Sequence, residues 1–160
     1  MLLSVLGKLV EVVCLVLMVV LCADVFLGVF SRYVLVRTFT WYDEIARGCF
    51  TWLVFLGAAV GVKRHAHFRL HLLVAKLSPR QQQGAEAFGF LMVIVLGLVL
   101  IQQGWAFVEL GRFQQTPVMG LSKFWIYLAI PVAGALMLLY ALPPLLRSLR
   151  LAAGWSPLPR

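Results

Sequence analysis

The chain has 160 residues, of which 62% are hydrophobic, and its mean hydropathy is +0.96. A soluble domain of this length cannot hide so much apolar surface in its core, so the composition excludes a soluble globular protein. The formal charge of +8 does not by itself indicate nucleic-acid binding, because Lys and Arg in a membrane protein more often report its orientation.

Four apolar runs have about the 20-residue length that a helix needs to cross the ~30 Å hydrocarbon layer. They are Leu9–Phe30, Ala46–Val62, Ala87–Val108 and Phe124–Leu146, and the second becomes long enough if it begins near Asp43. We therefore predict an all-α membrane protein, a single four-helix transmembrane domain with spans at about 9–30, 43–62, 87–108 and 124–146. The first run is longer than the apolar part of a signal peptide, so we expect it to be a retained helix.

Residues 63–80 form the longest predicted connection on the inner side. Apolar and basic residues alternate there, which favours a short amphipathic helix lying in the membrane interface, ended by Pro79, with its basic side chains toward anionic lipids. If the N-terminus is cytoplasmic, nine of the 14 Lys and Arg residues lie on the cytoplasmic side. The positive-inside rule then predicts that both termini are cytoplasmic.

Small residues indicate where these helices approach one another. Gly57 and Gly61 in the second helix form a small-xxx-small pair. Gly97, Gly104 and Gly111 in the third helix recur at seven-residue steps, which predicts a groove along one face for a neighbouring helix.

Several residues predict local features at the helix ends. Thr40 is a plausible N-cap of the second helix, and Glu44 and Arg47 are three apart on one face, so an ion pair is available. Pro131 removes one backbone hydrogen bond and predicts a kink in the fourth helix, and 143–147 is predicted to close that helix.

Asp24 is the main candidate for an intramembrane polar contact, because an ionisable residue inside the bilayer is costly and often functional. One interpretation is a coupling-ion or proton site. The other is a carboxylate near the interface, hydrogen-bonded to a neighbouring helix or paired with Arg32 or Arg47. Both remain open at this stage.

No residue set indicates catalysis, substrate binding, a metal or another cofactor. His67 and His71 would share a helix face beside His65, but nothing nearby supplies a third strong ligand. The four runs contain no histidine to hold a haem. The three cysteines are predicted to be small buried hydrophobic residues; they are Cys14, Cys22 and Cys49. We therefore predict that the chain is not an enzyme and binds no nucleic acid.

The second helix carries a more specific pattern. The segment reads Thr-Trp-Tyr-Asp-Glu-Ile-Ala-Arg from Thr40 to Arg47, continues through Trp-Leu-Val-Phe-Leu-Gly-Ala-Ala at 52–59, and reaches Lys-Arg-His-Ala-His at 63–67. Together with Ser-Arg-Tyr-Val at 31–34 and Trp-Ile-Tyr-Leu-Ala-Ile-Pro at 125–131, it resembles the small membrane subunit of tripartite ATP-independent periplasmic (TRAP) transporters. His71 is a departure, since relatives often carry an acid there.

The resemblance implies a bacterial inner-membrane protein that works with two partners. A large polytopic membrane subunit would carry substrate and sodium in an elevator-type movement, as a symport, and a periplasmic protein would capture the substrate, often an organic acid. The small subunit would be a fixed brace that contacts no substrate. Carried over to this chain, Trp41, Glu44 and Arg47 would order the outer end of the second helix, and Trp52, Gly57 and Pro131 would shape helix packing.

One alternative is a self-sufficient four-helix exporter that works as a dimer, with Asp24 as its coupling acid. Another is an accessory subunit of a different membrane complex. The C-terminus at Arg160 leads us to expect that the large subunit is encoded separately.

Overall fold

The structure, a computed structural model, describes residues 2–36, 39–64 and 79–152. Their helices are α1 (Leu2–Tyr33), α2 (Trp41–Lys63), α3 (Pro79–Arg112), α4 (Phe124–Tyr127) and α5 (Ala129–Ala152). Four stretches are long and apolar enough to cross a membrane: Leu3–Tyr33, Trp41–Lys63, Phe88–Arg112 and Phe124–Leu146. The described residues contain four long apolar helices and no strand longer than an isolated bridge, which confirms the predicted fold class.

The helices extend further than the apolar runs that predicted them. Hydropathy marks only the part of a helix that faces hydrocarbon, whereas the backbone hydrogen bonds of α1 and α3 continue into polar sequence at their ends. Pro79 begins α3, where a proline at the first helical position loses no hydrogen bond. Its expected role at the end of the preceding segment stays a prediction. The predicted interfacial helix itself falls on 65–78, outside the described residues.

The long helices lie in the order α1, α2, α5, α3. The most extensive contact joins α3 and α5, and α2 packs against α1 on one side and α5 on the other. Only 6% of the most apolar stretch of α1 is buried in the chain, compared with 39% for the span formed by α4 and α5. Helix α1 therefore lies at one side of the bundle and presents most of its apolar surface outward.

Glycines set the distance between α3 and the α4–α5 segment, as the seven-residue spacing predicts. A Cβ on Gly104 would lie 2.8 Å from Ile130 Cγ2, and one on Gly111 would lie 2.9 Å from the backbone nitrogen of Phe124. Gly97 faces Gly134, where an added Cβ would lie 2.8 Å from the Gly97 carbonyl oxygen. Two backbones touch at that crossing because neither helix carries a side chain there.

The fourth span is interrupted near Pro131. Since proline has no backbone N–H, the Tyr127 carbonyl receives no helical hydrogen bond from it, and the helix divides at Leu128 into α4 and α5. The predicted kink is thus found as a break one turn before the proline. The predicted helix end at Pro143 and Pro144 is wrong, because α5 continues through both to Ala152, and membrane helices tolerate proline.

The three cysteines are free, and the structure buries none of them fully. Cys14 and Cys49 are half-buried and Cys22 is exposed, so the prediction of small buried residues is wrong for this chain by itself. Cys22 is exposed because it lies on α1, most of whose surface contacts no other helix.

Candidate functional site

The first turn of α2 carries a carboxylate that binds the loop between α3 and α4. Glu44 Oε1 accepts a hydrogen bond from the backbone N–H of Val118 at 2.8 Å, and Oε2 accepts one from Met119 at 3.0 Å. Hydrogen bonds to an ionised acceptor are stronger than neutral ones. We call this arrangement the Glu44 contact; it joins the N-terminal end of α2 to loop 113–123.

The loop has its own hydrogen bonds, which hold it in a tight turn. The backbone N–H of Thr116 donates to the Leu121 carbonyl at 2.8 Å, and its hydroxyl accepts from the Leu121 N–H at 3.0 Å. Gly120 donates to the Thr116 carbonyl at 3.1 Å and has a φ of +65°, a left-handed conformation that glycine adopts without steric cost. The two amides at the tip of this turn are the donors of the Glu44 contact.

At this end of α2, the predicted ion pair is not formed, whereas Thr40 is confirmed as the N-cap residue by its position. The described residues show no ion pair between Glu44 and Arg47, because the carboxylate points at the loop; Arg47 is exposed. Thr40 occupies the N-cap position but its side chain makes no capping hydrogen bond, since its backbone already has helical angles of −77° and −10°. Trp41 is 37% exposed and stacks on Tyr42, with ring centroids 3.9 Å apart.

A second contact joins α2 to the break in the fourth span. The Trp52 indole N–H donates to the Trp125 carbonyl at 3.1 Å. This oxygen belongs to α4, immediately before the interruption that Pro131 causes. Trp52 therefore holds the broken segment against α2, a role that its predicted packing function did not specify.

An apolar groove of about 310 Å³ lies between these two contacts. Glu44 and Trp52 stand at its sides, and Cys49, Met119 and Ile126 are among the residues that line it. Its walls carry no set of polar groups converging on one point, so it is not suited to bind an organic acid.

Gly57 does not serve a close approach within the described chain. It is exposed, and a Cβ added to it would have no neighbour within 4 Å. Gly61 is half-buried one turn later. The close helix approach that this pair predicts is therefore not made at Gly57 by the described residues.

Asp24 lies in a second cavity, of about 220 Å³, between the C-terminal half of α1 and the N-terminal half of α2. Its side chain is 7% exposed, and its Oδ2 atom has no hydrogen-bond partner among the described residues. Arg32, Tyr42 and Asp43 line the same cavity, but the described residues form no ion pair with Asp24. The pairing with Arg32 or Arg47 expected from the sequence is not made.

The N-terminal part of α1 and the C-terminal end of α2 are joined by three charged residues that were not paired from the sequence, Glu11, Lys63 and Arg64, which we call the Glu11 cluster. Glu11 accepts from Lys63 Nζ at 3.0 Å and from Arg64 Nη2 at 3.0 Å, and the carboxylate raises the pKa of the Arg64 guanidinium. The sequence signal was available, since both basic residues end α2 and Glu11 lies near the start of the antiparallel α1. The pairing was not predicted because the partners lie far apart in the sequence.

The described residues show no group of side chains that could hold a metal ion. Within 2–36, 39–64 and 79–152, no three His, Cys, Asp or Glu residues are grouped so that they could hold a metal ion. The histidines considered above lie outside that part of the chain. The fold defines a multi-pass helical membrane protein. Its Glu44 contact and its Trp52–Trp125 hydrogen bond join one helix or loop of the chain to another.

Comparison with known proteins identifies the family. The sequence matches the DctQ component of tripartite ATP-independent periplasmic transporters over residues 21–151. It is 29% identical to a Haemophilus influenzae protein described as a TRAP transporter small permease, over 82% of this chain and 81% of that protein. It is 24% identical to the sialic acid TRAP transporter small permease protein SiaQ of Vibrio cholerae, over 98% and 90% of the two chains.

A third relative is the sialic acid TRAP transporter permease protein SiaT of Haemophilus influenzae. The identity is 26% over 69% of this chain, which corresponds to 18% of that larger protein. The chain belongs to the DctQ family of TRAP transporter components, as the motif in α2 indicated. It is therefore a transporter subunit, and its four spans make it a multi-pass protein of the inner membrane.

Proposed function

We propose that this chain is the non-catalytic small permease subunit of a TRAP transporter, a brace that supports the large membrane subunit during transport. The observation that carries the proposal is the family match, which extends from the second half of α1 to the end of α5. Because the match includes part or all of every span, it applies to the whole bundle and not to one motif.

Two features of the structure favour the proposed role as a brace. The Glu44 contact and the Trp52–Trp125 hydrogen bond tie α2 to loop 113–123 and to α4, which favours a fixed outer end. The outward apolar surface of α1 and the open face at Gly57 offer area for another membrane protein. The larger of the two cavities described above is lined mostly by apolar residues, which favours packing over passage of a polar solute.

The transported solute, in this proposal, is an organic acid or a similar compound, captured by a periplasmic binding protein and moved by the large subunit with sodium. Two relatives are named for the transport of sialic acid, which is an organic acid. The small subunit would contact the large subunit and lipids and would bind no substrate itself.

We propose that both termini are cytoplasmic, which follows from the distribution of basic residues. In this orientation, the Glu11 cluster lies at the cytoplasmic side, and loop 113–123 faces the periplasm. Trp41, Glu44 and Arg47 would then order the periplasmic end of α2, and Trp52, Gly57, Gly61 and Pro131 would shape contacts within the membrane.

The second candidate is the self-sufficient exporter that uses Asp24 as a coupling acid. The unpartnered Oδ2 atom in a cavity is the observation that favours it. The family match favours the brace, since that family is a component of a three-part transporter.

The test is sodium-driven uptake in vesicles, with N-acetylneuraminic acid and a panel of dicarboxylic and sugar acids as probes. Vesicles holding this chain and its large subunit, supplied with the binding protein, should accumulate one of the probes. Omitting this chain should abolish or strongly reduce that uptake. Undiminished uptake by the large subunit without it would overturn the proposal.

A further inference from the structure

The Asp24 cavity is the one place where the described part of the chain leaves a buried charge-bearing group without a partner. The residue as a whole is only 7% exposed, and Oδ2 makes no hydrogen bond among the described residues. Asp24 lies nine residues before the end of α1, about 13 Å along the axis, and so well inside the helix. A carboxylate at that depth is costly unless it is paired.

The surroundings of Asp24 do not supply the pairing. Asp43 faces it from α2 and adds a like charge, and Cys49 lies on the same side of α2. Tyr42 and Arg32 line the cavity, but Arg32 lies eight residues further along α1, about 12 Å away along the axis. The cavity therefore has an excess of negative charge among its described residues and an unfilled volume of about 220 Å³.

The cavity also opens toward the surface that the bundle does not cover. Val25 and Val29 line it, and they are 50% and 53% exposed on α1, the helix whose apolar stretch is 6% buried. A protein that packs against this side of α1 would pass directly over the cavity. Because Asp24 is largely shielded from water, a cation brought there by such a protein would gain more from its carboxylate than it would in water.

From this geometry we propose that Asp24 accepts a Lys or Arg side chain from a membrane helix of the large TRAP subunit, which enters the cavity between α1 and α2. The inference rests on the proposed function, because it takes the large subunit as the occupant, and it assigns that subunit to the α1–α2 side of this chain. Asp43 would be the second carboxylate near the inserted cation. Because the net charge of the cavity is negative, a cationic side chain fits it better than an apolar one.

The test compares Asp24→Asn and Asp24→Lys with the native chain, each co-expressed with the large TRAP subunit of the same organism and purified through a tag on this chain. We expect both variants to retain about a tenth or less of the large subunit, because one member of a buried charge pair is lost. Glu109→Gln is the matched control, since Glu109 accepts only from Trp105 on its own helix, and it should retain the large subunit fully.

The chain purified without its partner separates this effect from misfolding. Since Oδ2 is unpartnered there, Asp24→Asn should leave the thermal stability of the lone chain unchanged or higher. Lower stability would mean that Asp24 has a partner within its own chain, and would overturn the inference. A benzophenone amino acid at Val25 should crosslink to a large-subunit peptide that carries Lys or Arg. Replacing this basic residue of the large subunit by Glu should restore binding to the Asp24→Lys variant.

Three further outcomes are decisive. If the native chain does not retain the large subunit, the proposed function fails. If the native chain and both Asp24 variants retain it equally, only this inference fails. If Asp24→Asn keeps the large subunit but abolishes sodium-driven uptake, Asp24 belongs to an ion pathway, and the inference is likewise overturned.

Discussion

Glu44 lies in the first turn of a membrane-spanning helix, where an acidic side chain interacts favourably with the positive end of the helix dipole. Its more specific role is to accept two backbone hydrogen bonds from the tip of loop 113–123. These bonds fix the tip of the loop against α2, in addition to the hydrogen bonds that the loop forms within itself. From the sequence, Glu44 was expected to pair with Arg47, because two residues three apart lie on one face of a helix.

We expect Glu44→Ala to release loop 113–123 from α2, because both amides then lose their acceptor. Glu44→Gln should have a smaller effect, since its amide oxygen can still accept one bond. Limited proteolysis or hydrogen exchange of the loop should become several-fold faster in Glu44→Ala. Glu109→Gln provides the control and should leave the loop unchanged; equal protection in Glu44→Ala would contradict the assignment.

Trp52→Phe tests the hydrogen bond to the broken span. Phenylalanine keeps most of the ring and removes only the indole N–H, so the loss should be about 1 kcal/mol of unfolding free energy, the usual net value of a neutral hydrogen bond. Denaturant titration of the purified chain in detergent measures it. Trp105→Phe is matched, because that indole is 52% exposed and donates within its own helix; an equal loss in both variants would argue against a special role for Trp52.

At the scale of the elements, glycines divide the bundle into a close-packed half and an open half. The crossing of α3 and α5 brings Gly97 and Gly134 into backbone contact. Gly57 on α2, by contrast, has no neighbour within 4 Å of an added Cβ. The same residue type therefore serves internal packing in one place and leaves an open surface in the other.

Gly134→Ala should destabilise the chain by about 1–3 kcal/mol, because the new methyl group would lie 2.8 Å from a backbone oxygen that cannot rotate away. Gly57→Ala should leave the lone chain as stable or up to about 1 kcal/mol more stable, since alanine favours the helix. Thermal unfolding of the two variants measures the difference. Equal destabilisation by both substitutions would show that the described packing does not distinguish these positions.

The N-terminal part of α1 and the C-terminal end of α2 are held together by the Glu11 cluster. Glu11→Gln removes the ion pairs with Lys63 and Arg64, and we expect faster hydrogen exchange in the first turns of α1, which few other contacts hold. High salt should reproduce part of this effect in the native chain, because exposed ion pairs are screened. Unchanged exchange in Glu11→Gln would mean that apolar packing suffices to hold this end.

At the scale of the whole molecule, the features that could be predicted from the sequence are those that depend on composition and on the local spacing of residues. The four spans, the glycine face of α3 and the interruption near Pro131 follow from hydropathy, a seven-residue repeat and a missing N–H. The contacts of Glu44, Glu11 and Trp52 were missed because their partners lie 52 to 75 residues away in the chain. Two of these contacts use backbone groups, which carry no sequence signature.

Helix ends were also poorly predicted, for a related reason. Whether Pro79 ends one helix or begins another depends on the path of the backbone on each side, and the residue type is compatible with both. Asp24 is the opposite case, because the sequence identified the residue but not its surroundings. The sequence marked it as exceptional, but only the structure reveals that Asp24 lies in a cavity where the described residues form no ion pair with it and leave its Oδ2 atom without a hydrogen bond.

The most direct test of the brace is the composition of the complex that this chain forms in a membrane. The tagged chain should be co-expressed with the large TRAP subunit of the same organism, extracted in mild detergent and weighed by native mass spectrometry. We predict a complex that contains this 17.9 kDa chain together with the large subunit. A homodimer of this chain without the large subunit, able to move a solute when reconstituted by itself, would contradict the account.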